Sequence, residues 1–433
     1  MNIHNSGRAW GMLGAVATGI GAMVVLAACA PTPQSAPSPS PSPSSSQTTP
    51  APEPYGGPVV FVGEELGAFA LSPEEIAGLL PDATEVGDLS DVLEQVSDGG
   101  GLPADPLICD VLYAEQSLGT VGARTIAWKV PTDPTYGFGA LRILQFADEA
   151  QAQGRMDQLL QAAEQCAEFD KQGTVTFDAV IPPEADGVRA FAGTLVDAGL
   201  GWRSVDAFAS TGNVIVQLSQ PLSGERPVDA EAAAVLLQSR AVEAREGLIE
   251  ALTENPPSAE PDPSGDQGSV WSDWQIGVGG VGPLRLGDSI DSALAAAGED
   301  VQMVEPEYDG GPWTLVAPDG AGSILVQPVE GGDTVWSVTV GNERSLYGAA
   351  YDGAALPSRG EIRLGASVAD AMNAYPGGTV VDVSSSGDDY YAVTTRDGQV
   401  FRFQADRDVV EEGSTIVGIT VEDATARKGA VFG

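Results

Sequence analysis

The sequence has very little of the residue types that carry most familiar protein chemistry. It contains one histidine, His4, three cysteines, and 20 Lys plus Arg against 61 Asp plus Glu. Without a second imidazole, the chain beyond its N-terminal segment cannot form a Ser/His triad, a Cys/His pair or a His-ligated metal site. The formal net charge of −41 repels phosphate backbones, so DNA and RNA are excluded as partners.

The N-terminal segment predicts export. Residues 1–28 contain no acid and one base, Arg8, which is followed by an apolar run from Met12 to Ala28. This run is short for a membrane span and has the length of a secretory hydrophobic region. We interpret residues 1–28 as a signal peptide, and an uncleaved single-span anchor is the alternative.

The end of this segment resembles the lipobox of bacterial lipoproteins. It reads Leu26, Ala27, Ala28, Cys29, and the small residues allow the peptide to enter the signal peptidase. The resemblance implies cleavage before Cys29 and transfer of a diacylglycerol to its thiol. Because two or three acyl chains hold a protein stably to a bilayer, we expect a membrane anchor at Cys29 on the extracytoplasmic face. The alternative is a chance cysteine behind an ordinary signal.

Two proline-rich segments divide the remaining chain. Residues 29–57 contain Cys29 and a Pro/Ser-rich stretch, including PSPSPSPSSSQTTP, which favours extended polyproline II and is interpreted as a stalk. Residues 253–269, TENPPSAEPDPSGDQGS, lack apolar periodicity and are typical of an interdomain linker. The expected folded regions are therefore 58–252 and 270–433.

The pattern of residues 58–252 predicts an α+β fold. Ser72 and Glu75 form a capping-box arrangement that starts a short helix. Period-two stretches predict six strands, and two longer stretches have helical periodicity. The strands are expected at 123–130, 140–146, 174–180, 188–196, 201–208 and 213–219, and the helices at 148–169 and 229–252. This order predicts an antiparallel sheet with helices packed on one face.

Cys109 and Cys166 are the cysteines that remain when Cys29 carries a lipid. Export places them in an oxidising compartment, where thiols form disulfides. We expect a Cys109–Cys166 disulfide. A reactive thiol is the alternative, but no histidine is present to lower a thiol pKa.

The layout of this region resembles the actinobacterial PknH-type extracellular sensor domain and related lipoproteins. The shared features are Leu79 and Leu80 before Pro81, a first cysteine ahead of the strands, a second cysteine ending a helix, the run GNVIV from 212 to 216, and a long closing helix. The resemblance implies a cleft between sheet and helices that binds an extracytoplasmic ligand. Relatives commonly carry a second disulfide, which this chain lacks.

Residues 270–433 contain an internal duplication. Residues 284–294 read LRLGDSIDSAL and residues 362–372 read IRLGASVADAM, an alignment at an offset of 78 residues with five identities. Each unit has a serine that caps a short helix, Ser289 or Ser367, followed by strands. The sequence therefore predicts two small helix-plus-antiparallel-sheet repeats, at about 280–341 and 358–422.

These repeats resemble those of the β-lactamase-inhibitor-protein-like and outer-membrane assembly lipoproteins, on the basis of the Arg-Leu-Gly-x-Ser start and the repeat length. The resemblance implies a sheet face presented to protein partners. Known inhibitors carry disulfides, and neither Cys109 nor Cys166 lies in the repeats. Inhibition of a lactamase is therefore not implied.

Candidate binding residues are few. Trp313, Trp336, Tyr390 and Tyr391 lie on predicted strands of the repeats, where core packing is the usual role and an aromatic partner-binding face is the functional alternative. With 61 acids, neighbouring carboxylates are expected by number alone and favour a solvated surface. The sequence predicts no catalytic, cofactor-binding or metal-ligating residue.

The sequence as a whole predicts a noncatalytic cell-surface lipoprotein that binds an unknown extracytoplasmic ligand or protein, with a sensor-like first domain. The alternative is an inhibitor-like or envelope-assembly lipoprotein that acts through the C-terminal repeats. An enzyme using carboxylates or tyrosine is a third class.

Overall fold

The computed structural model describes residues 54–95, 103–131, 136–222, 227–259, 261–263, 270–317, 320, 322–341, 352–384 and 387–427. Residues 52–433 form one compact unit. Cys29 and the stalk up to Glu53 lie outside the described residues. No described helix is long and apolar enough to cross a bilayer.

A seven-stranded antiparallel sheet forms the first half of the described chain. Its strands run in the order β2-β3-β8-β7-β6-β5-β4. They are β2 (Gly122–Pro131), β3 (Tyr136–Gln145), β4 (Glu168–Asp170), β5 (Thr174–Val180), β6 (Arg189–Asp197), β7 (Trp202–Thr211) and β8 (Val214–Pro221). All six strands predicted from the sequence are present, and β4 replaces the end of the first predicted helix.

Helices cover both faces of this sheet, whereas the sequence pattern predicted helices on one face. Helix α2 (Glu149–Gln165) packs with Phe191, Phe208 and the disulfide on one side. Helix α3 (Ala230–Glu254) packs on the other side, against alternate residues such as Val205 and Val216. The one-face expectation was wrong because both faces of the central strands are apolar, as a sheet buried on two sides requires.

A short helix, α1 (Pro73–Leu79), closes the α3 side. The Ser72 hydroxyl accepts a hydrogen bond from the Glu75 amide, and the Ser72 amide donates to the Glu75 carboxylate at 2.7 Å. This capping box satisfies two amides that a helix start leaves unpaired. Cys109 and Cys166 form the predicted disulfide on the opposite side, at a sequence separation of 57.

A nine-stranded sheet forms the second half, in the order β1-β16-β17-β18-β19-β15-β14-β13-β12, where β1 is Val92–Gln95. Eight strands come from the two repeats. The first repeat contributes β12 (Gln302–Val304), β13 (Trp313–Val316), β14 (Ser323–Pro328) and β15 (Val335–Gly341); the second contributes β16 (Thr379–Val383), β17 (Asp388–Thr394), β18 (Gln399–Ala405) and β19 (Ile416–Asp423). A small sheet of β9 (Ile276–Gly277), β10 (Gly280–Val281) and β11 (Leu284–Arg285) precedes them.

The two repeats meet about a pseudo-two-fold axis. Helices α4 (Ile290–Ala296) and α5 (Val368–Ala374) begin 78 residues apart, and Ser289 and Ser367 cap them as expected. At the seam, β15 pairs antiparallel with β19, Thr339 lies opposite Thr420, and their hydroxyls are 2.8 Å apart. The predicted α+β class, a helix-packed antiparallel sheet followed by two helix-plus-sheet repeats, is confirmed.

The ninth strand comes from the first half of the chain. Strand β1 (Val92–Gln95) pairs in parallel with β16, the outer strand of the second repeat. The halves also share a small apolar cluster and several hydrogen bonds. The Arg124 guanidinium, for example, donates to the Gly377 carbonyl at 2.8 Å, and Arg396 pairs with Glu65. The shared cluster comprises Val121, Ala147, Val381, Ala392, Val400 and Ala424.

Candidate functional site

The four aromatic residues singled out from the sequence lie in different environments. Tyr391 is 2% exposed and packs in the core of the repeats. Its hydroxyl donates to the Tyr375 carbonyl at 2.6 Å and accepts from the Gly378 amide at 2.8 Å. Both hydrogen-bonding capacities of this phenol are thus used inside the fold, and Tyr391 is not available to a partner.

Tyr390 and Trp336 lie beside a charged network on the sheet. The Glu422 carboxylate is 2% exposed and accepts from Arg402 at 3.1 Å and from Arg427. Arg402 lies 4.9 Å from the ring centroid of Tyr390, and Arg427 lies 5.7 Å from that of Trp336. Burial raises the pKa of Glu422 above its usual value, and Arg402 opposes that shift. These aromatics are engaged by the protein's own cations.

Trp313 lines an open cleft of about 780 Å³ at one end of the first repeat. One wall is the loop from Glu305 to Gly311, and the other is the turn between β14 and β15. The volume lies in the range of small-molecule and peptide-side-chain sites. The lining residues are Ile290, Glu305, Pro306, Glu307, Tyr308, Asp309, Gly310, Gly311, Trp313, Pro328, Gly331, Gly332 and Asp333.

The cleft combines carboxylates with aromatic and proline surface. Four acids line it, and the Tyr308 side chain is 67% exposed beside them. Within the described residues, Glu305, Asp309 and Asp333 make no ion pair. Carboxylates next to an accessible aromatic ring favour a cationic group, which gains both charge pairing and a cation–π contact. The site therefore has the chemistry to bind a cation.

Local hydrogen bonds fix the cleft loop. The Gln327 side-chain amide donates to the Gly310 carbonyl at 2.8 Å, and the Gly311 amide donates to the Tyr308 carbonyl at 3.0 Å. Gly310 has a φ of +76°, in the left-handed region that favours glycine. These contacts connect the loop to β14, so the aromatic wall is held before any ligand binds.

The strand that leads into the cleft is an open sheet edge. Strand β12 pairs with β13 on one side, and no described strand lies on its other side. All three of its residues are exposed, including Met303 at 39% and Val304 at 43%. An open edge offers unpaired backbone amides and carbonyls to another chain.

A second polar cluster, the Asp206 cluster, lies on the α2 side of the seven-stranded sheet. It comprises Tyr113, Asp197, Ser204, Asp206 and Gln217. The Tyr113 hydroxyl donates to Asp197 at 3.1 Å, and the Ser204 hydroxyl donates to Asp206 at 2.7 Å. Gln217 is 8% exposed, and its side-chain carbonyl oxygen accepts no hydrogen bond from any residue that the structure describes.

Burial sets the protonation of the Asp206 cluster. It raises the pKa of Asp206, while hydrogen bonds from Ser219 and Ser204 and the charge of Arg142 lower it. Burial and the nearby Asp197 also raise the pKa of the Tyr113 phenol. Asp206 already accepts hydrogen bonds from two serine hydroxyls. Its carboxylate therefore serves as an acceptor within the fold and is not an exposed general acid.

Sequence reasoning found Trp313 but missed the groups around it. The acids of the cleft were assigned to a solvated surface because neighbouring carboxylates are expected by number alone in a chain with 61 acids. The order Glu-Pro-Glu-Tyr-Asp-Gly-Gly from 305 to 311 was a usable signal, since it places an aromatic between acids ahead of a turn. Among the described residues, no group of three or more acids, cysteines or histidines is arranged to hold a metal ion.

Comparisons with known proteins give weak structural similarity. No family model and no curated protein matches this chain. The crystal structure of the extracellular domain of PknH from Mycobacterium tuberculosis is similar, with a TM-score of 0.31 and 16% identity. The match covers 44% of this chain and 100% of that one. At this TM-score the similarity supports no conclusion about function.

Proposed function

We propose that this chain is a noncatalytic lipoprotein that binds an extracytoplasmic partner through its C-terminal repeats. The cleft beside Trp313 is the observation that carries the binding role. It is preformed, of ligand size, and lined by Tyr308 and by carboxylates, such as Glu305 and Asp309, that have no ion-pair partner in the described part of the chain. Such a site costs little to organise, because its loop is already fixed.

The cellular location in this proposal rests on Cys29 and on the disulfide. The lipobox resemblance implies a diacylglycerol on Cys29, and the bonded pair Cys109–Cys166 fits an oxidising compartment. Cys29→Ala should release the protein from the membrane into the medium, because no acyl chain is then attached. Fractionation of cells that express the variant measures this, and Cys29→Ala protein that stays in the membrane fraction would contradict the anchor.

Binding by the cleft is tested with the full chain in its native envelope. The cleft variant carries Glu305→Gln, Asp309→Asn and Asp333→Asn, and the matched control carries Glu361→Gln, Glu411→Gln and Glu412→Gln on exposed positions of the second repeat. Both variants lose three negative charges. An envelope component that co-purifies with the wild type and the control, and not with the cleft variant, is the expected result. Equal recovery with all three proteins would refute the cleft as the site.

A second candidate function is ligand sensing by the first half, and the Asp206 cluster favours it. The unpartnered side-chain oxygen of Gln217 and the carboxylates of Asp197 and Asp206 are all acceptors, so a ligand there would have to donate hydrogen bonds. Soluble peptidoglycan fragments, which carry many hydroxyls and amides, are the probe. They should raise the thermal unfolding midpoint of the wild type and not that of Gln217→Leu. An equal shift of the midpoint in both proteins would remove this candidate.

A further inference from the structure

The two repeats have topologically equivalent strands at the outer edges of their four-stranded units. These two edges differ in whether another described strand pairs with them. Strand β16 is the first strand after helix α5, and β12 is the first strand after helix α4. The edge of β16 is filled by β1, which pairs with it in parallel from Val92 to Gln95. The edge of β12 pairs with no described strand. The second repeat thus has an added strand for which the described residues of the first repeat show no equivalent.

We propose that the open edge of β12 and the neighbouring cleft together bind an extended basic peptide segment of another protein. This inference rests on the proposed function and names the class of partner. The peptide adds as a strand parallel to β12, as β1 adds to β16. Its backbone supplies affinity through main-chain hydrogen bonds, the mode used by other strand-addition sites.

Geometry links the edge to the cleft. Strand β12 ends at Val304, and the cleft lining starts at Glu305. A parallel strand that pairs with Gln302 to Val304 therefore carries its next residues into the cleft. At about 3.3 Å per residue, a peptide of about five or six residues covers both parts of the surface.

Charge decides the nature of the residues that follow the paired segment. The cleft presents four carboxylates, and the net charge of the whole chain is −41. Three of these acids, Glu305, Asp309 and Asp333, have no ion-pair partner among the described residues. Lysine or arginine side chains at the C-terminal end of the peptide would pair with these acids and contact the exposed Tyr308 ring.

The paired segment itself should alternate apolar and polar residues. Met303 lies opposite the fully buried Leu315 across the strand pair, so the residue beside Met303 faces the rim of the core. A β-branched residue fits such a half-buried position. The peptide Gly-Val-Thr-Val-Lys-Arg, with an N-terminal fluorescein and a C-terminal amide, meets these requirements and is the probe.

Fluorescence anisotropy of this peptide with the whole mature chain tests the inference. The wild type and the matched control variant in Glu361, Glu411 and Glu412 should bind it, and the cleft variant in Glu305, Asp309 and Asp333 should bind it about tenfold more weakly. Affinity should fall as salt rises. Equal affinity of the cleft variant and the control would overturn the role of the acids.

Two further peptides separate strand addition from charge attraction. A version N-methylated at alternate amides cannot pair with a strand edge, and a version with Lys-Arg moved to the N-terminal end cannot place these residues in the cleft from a parallel strand. Both should bind at least about tenfold more weakly than the probe. If either matches the probe, or if the probe does not bind the wild type, this inference fails. The proposed function is judged separately by the envelope experiment.

Discussion

The two sheets of this molecule are stabilised in different ways. The seven-stranded sheet has a long helix on each face, α2 and α3, and a disulfide that links Cys109, ahead of β2, to Cys166 at the end of α2. The nine-stranded sheet has two seven-residue helices and no disulfide among its described residues. It takes its ninth strand and part of its apolar cover from the first half. The second sheet therefore depends on the first.

Removing the disulfide is the strongest test of this dependence. Replacement of both Cys109 and Cys166 by alanine should lower the free energy of unfolding by about 4 kcal/mol, because the bond closes a loop of 57 residues in the unfolded chain. Urea unfolding with hydrogen exchange on both sheets measures it. The strands of the repeats should lose protection together with those of the first half. Full protection of β17 to β19 after the first sheet has unfolded would break the comparison.

Arg124→Ala should have the second largest effect. The Arg124 side chain is 4% exposed and donates to the Gly377 carbonyl and the Thr379 hydroxyl across the contact between the halves. Loss of these buried hydrogen bonds should cost about 2 kcal/mol. Chemical denaturation measures the change, and Arg407→Ala is the control. Arg407 pairs with Asp406 at the surface, where solvent screens the pair, so its loss should change the free energy of unfolding much less than the loss of Arg124. Similar losses for both variants would argue against a specific contact.

The seam between the repeats should show a smaller effect. Thr339→Val removes one hydroxyl of the Thr339–Thr420 pair and should cost about 1 kcal/mol. The double variant with Thr420→Val should cost less than the sum of the single changes, because both lose the same hydrogen bond. A double-mutant cycle measured by urea unfolding gives this coupling. Additive losses would show that the hydroxyl pair contributes nothing.

Lowering the pH should change the free energy of unfolding in opposite directions through one carboxylate in each half, Glu75 and Asp389. These are the smallest of the expected effects. The hydrogen bond from the Ser72 amide lowers the pKa of Glu75, so this group's stabilisation is present above pH 4.5 and is lost as pH falls through its folded pKa. Burial, followed by the charges of Asp382, Asp408 and Asp388, raises the pKa of Asp389. Stability should therefore increase as pH falls through the raised pKa of Asp389 towards 3.8.

Two variants separate these contributions. Glu75→Gln should remove the loss of stability below pH 4.5, and Asp389→Asn should raise the urea midpoint at pH 7 and flatten its pH dependence above 3.8. Urea midpoints at a series of pH values provide the measurement. A change of the same sign in both variants would contradict the assignment.

Much of the fold was predictable because it depends on local patterns. Ser72 with Glu75 marks a helix start, alternating residues mark β5, and the repeat offset predicts α4 and α5. The sites of non-local contact were not predictable in this way. Strand β1 contains only four residues, and its partner β16 lies almost 300 residues further along the chain. Local periodicity indicates that a strand is buried but does not identify its neighbour.

The candidate site also has a part that the sequence predicts and a part that only the fold brings together. Trp313 could be singled out by residue type, but its cleft exists only because the loop after β12 and the turn before β15 reach the same end of the sheet. Tyr391 has the same sequence signature as Tyr390, and its burial follows from the side of the strand on which it lies. A shift of one residue along a strand exchanges core and surface.

The pairing of Thr339 with Thr420 has an evolutionary consequence. An antiparallel seam in which one central residue meets its own counterpart, and the residues on either side pair reciprocally, is the geometry of a symmetric homodimer. A single-repeat ancestor that dimerised through this strand would have had two identical outer sheet edges, and any mutation would have altered both at once. Joining two copies in one polypeptide removed that constraint, so the β16 edge could pair with a strand from the first half while the β12 edge stayed exposed.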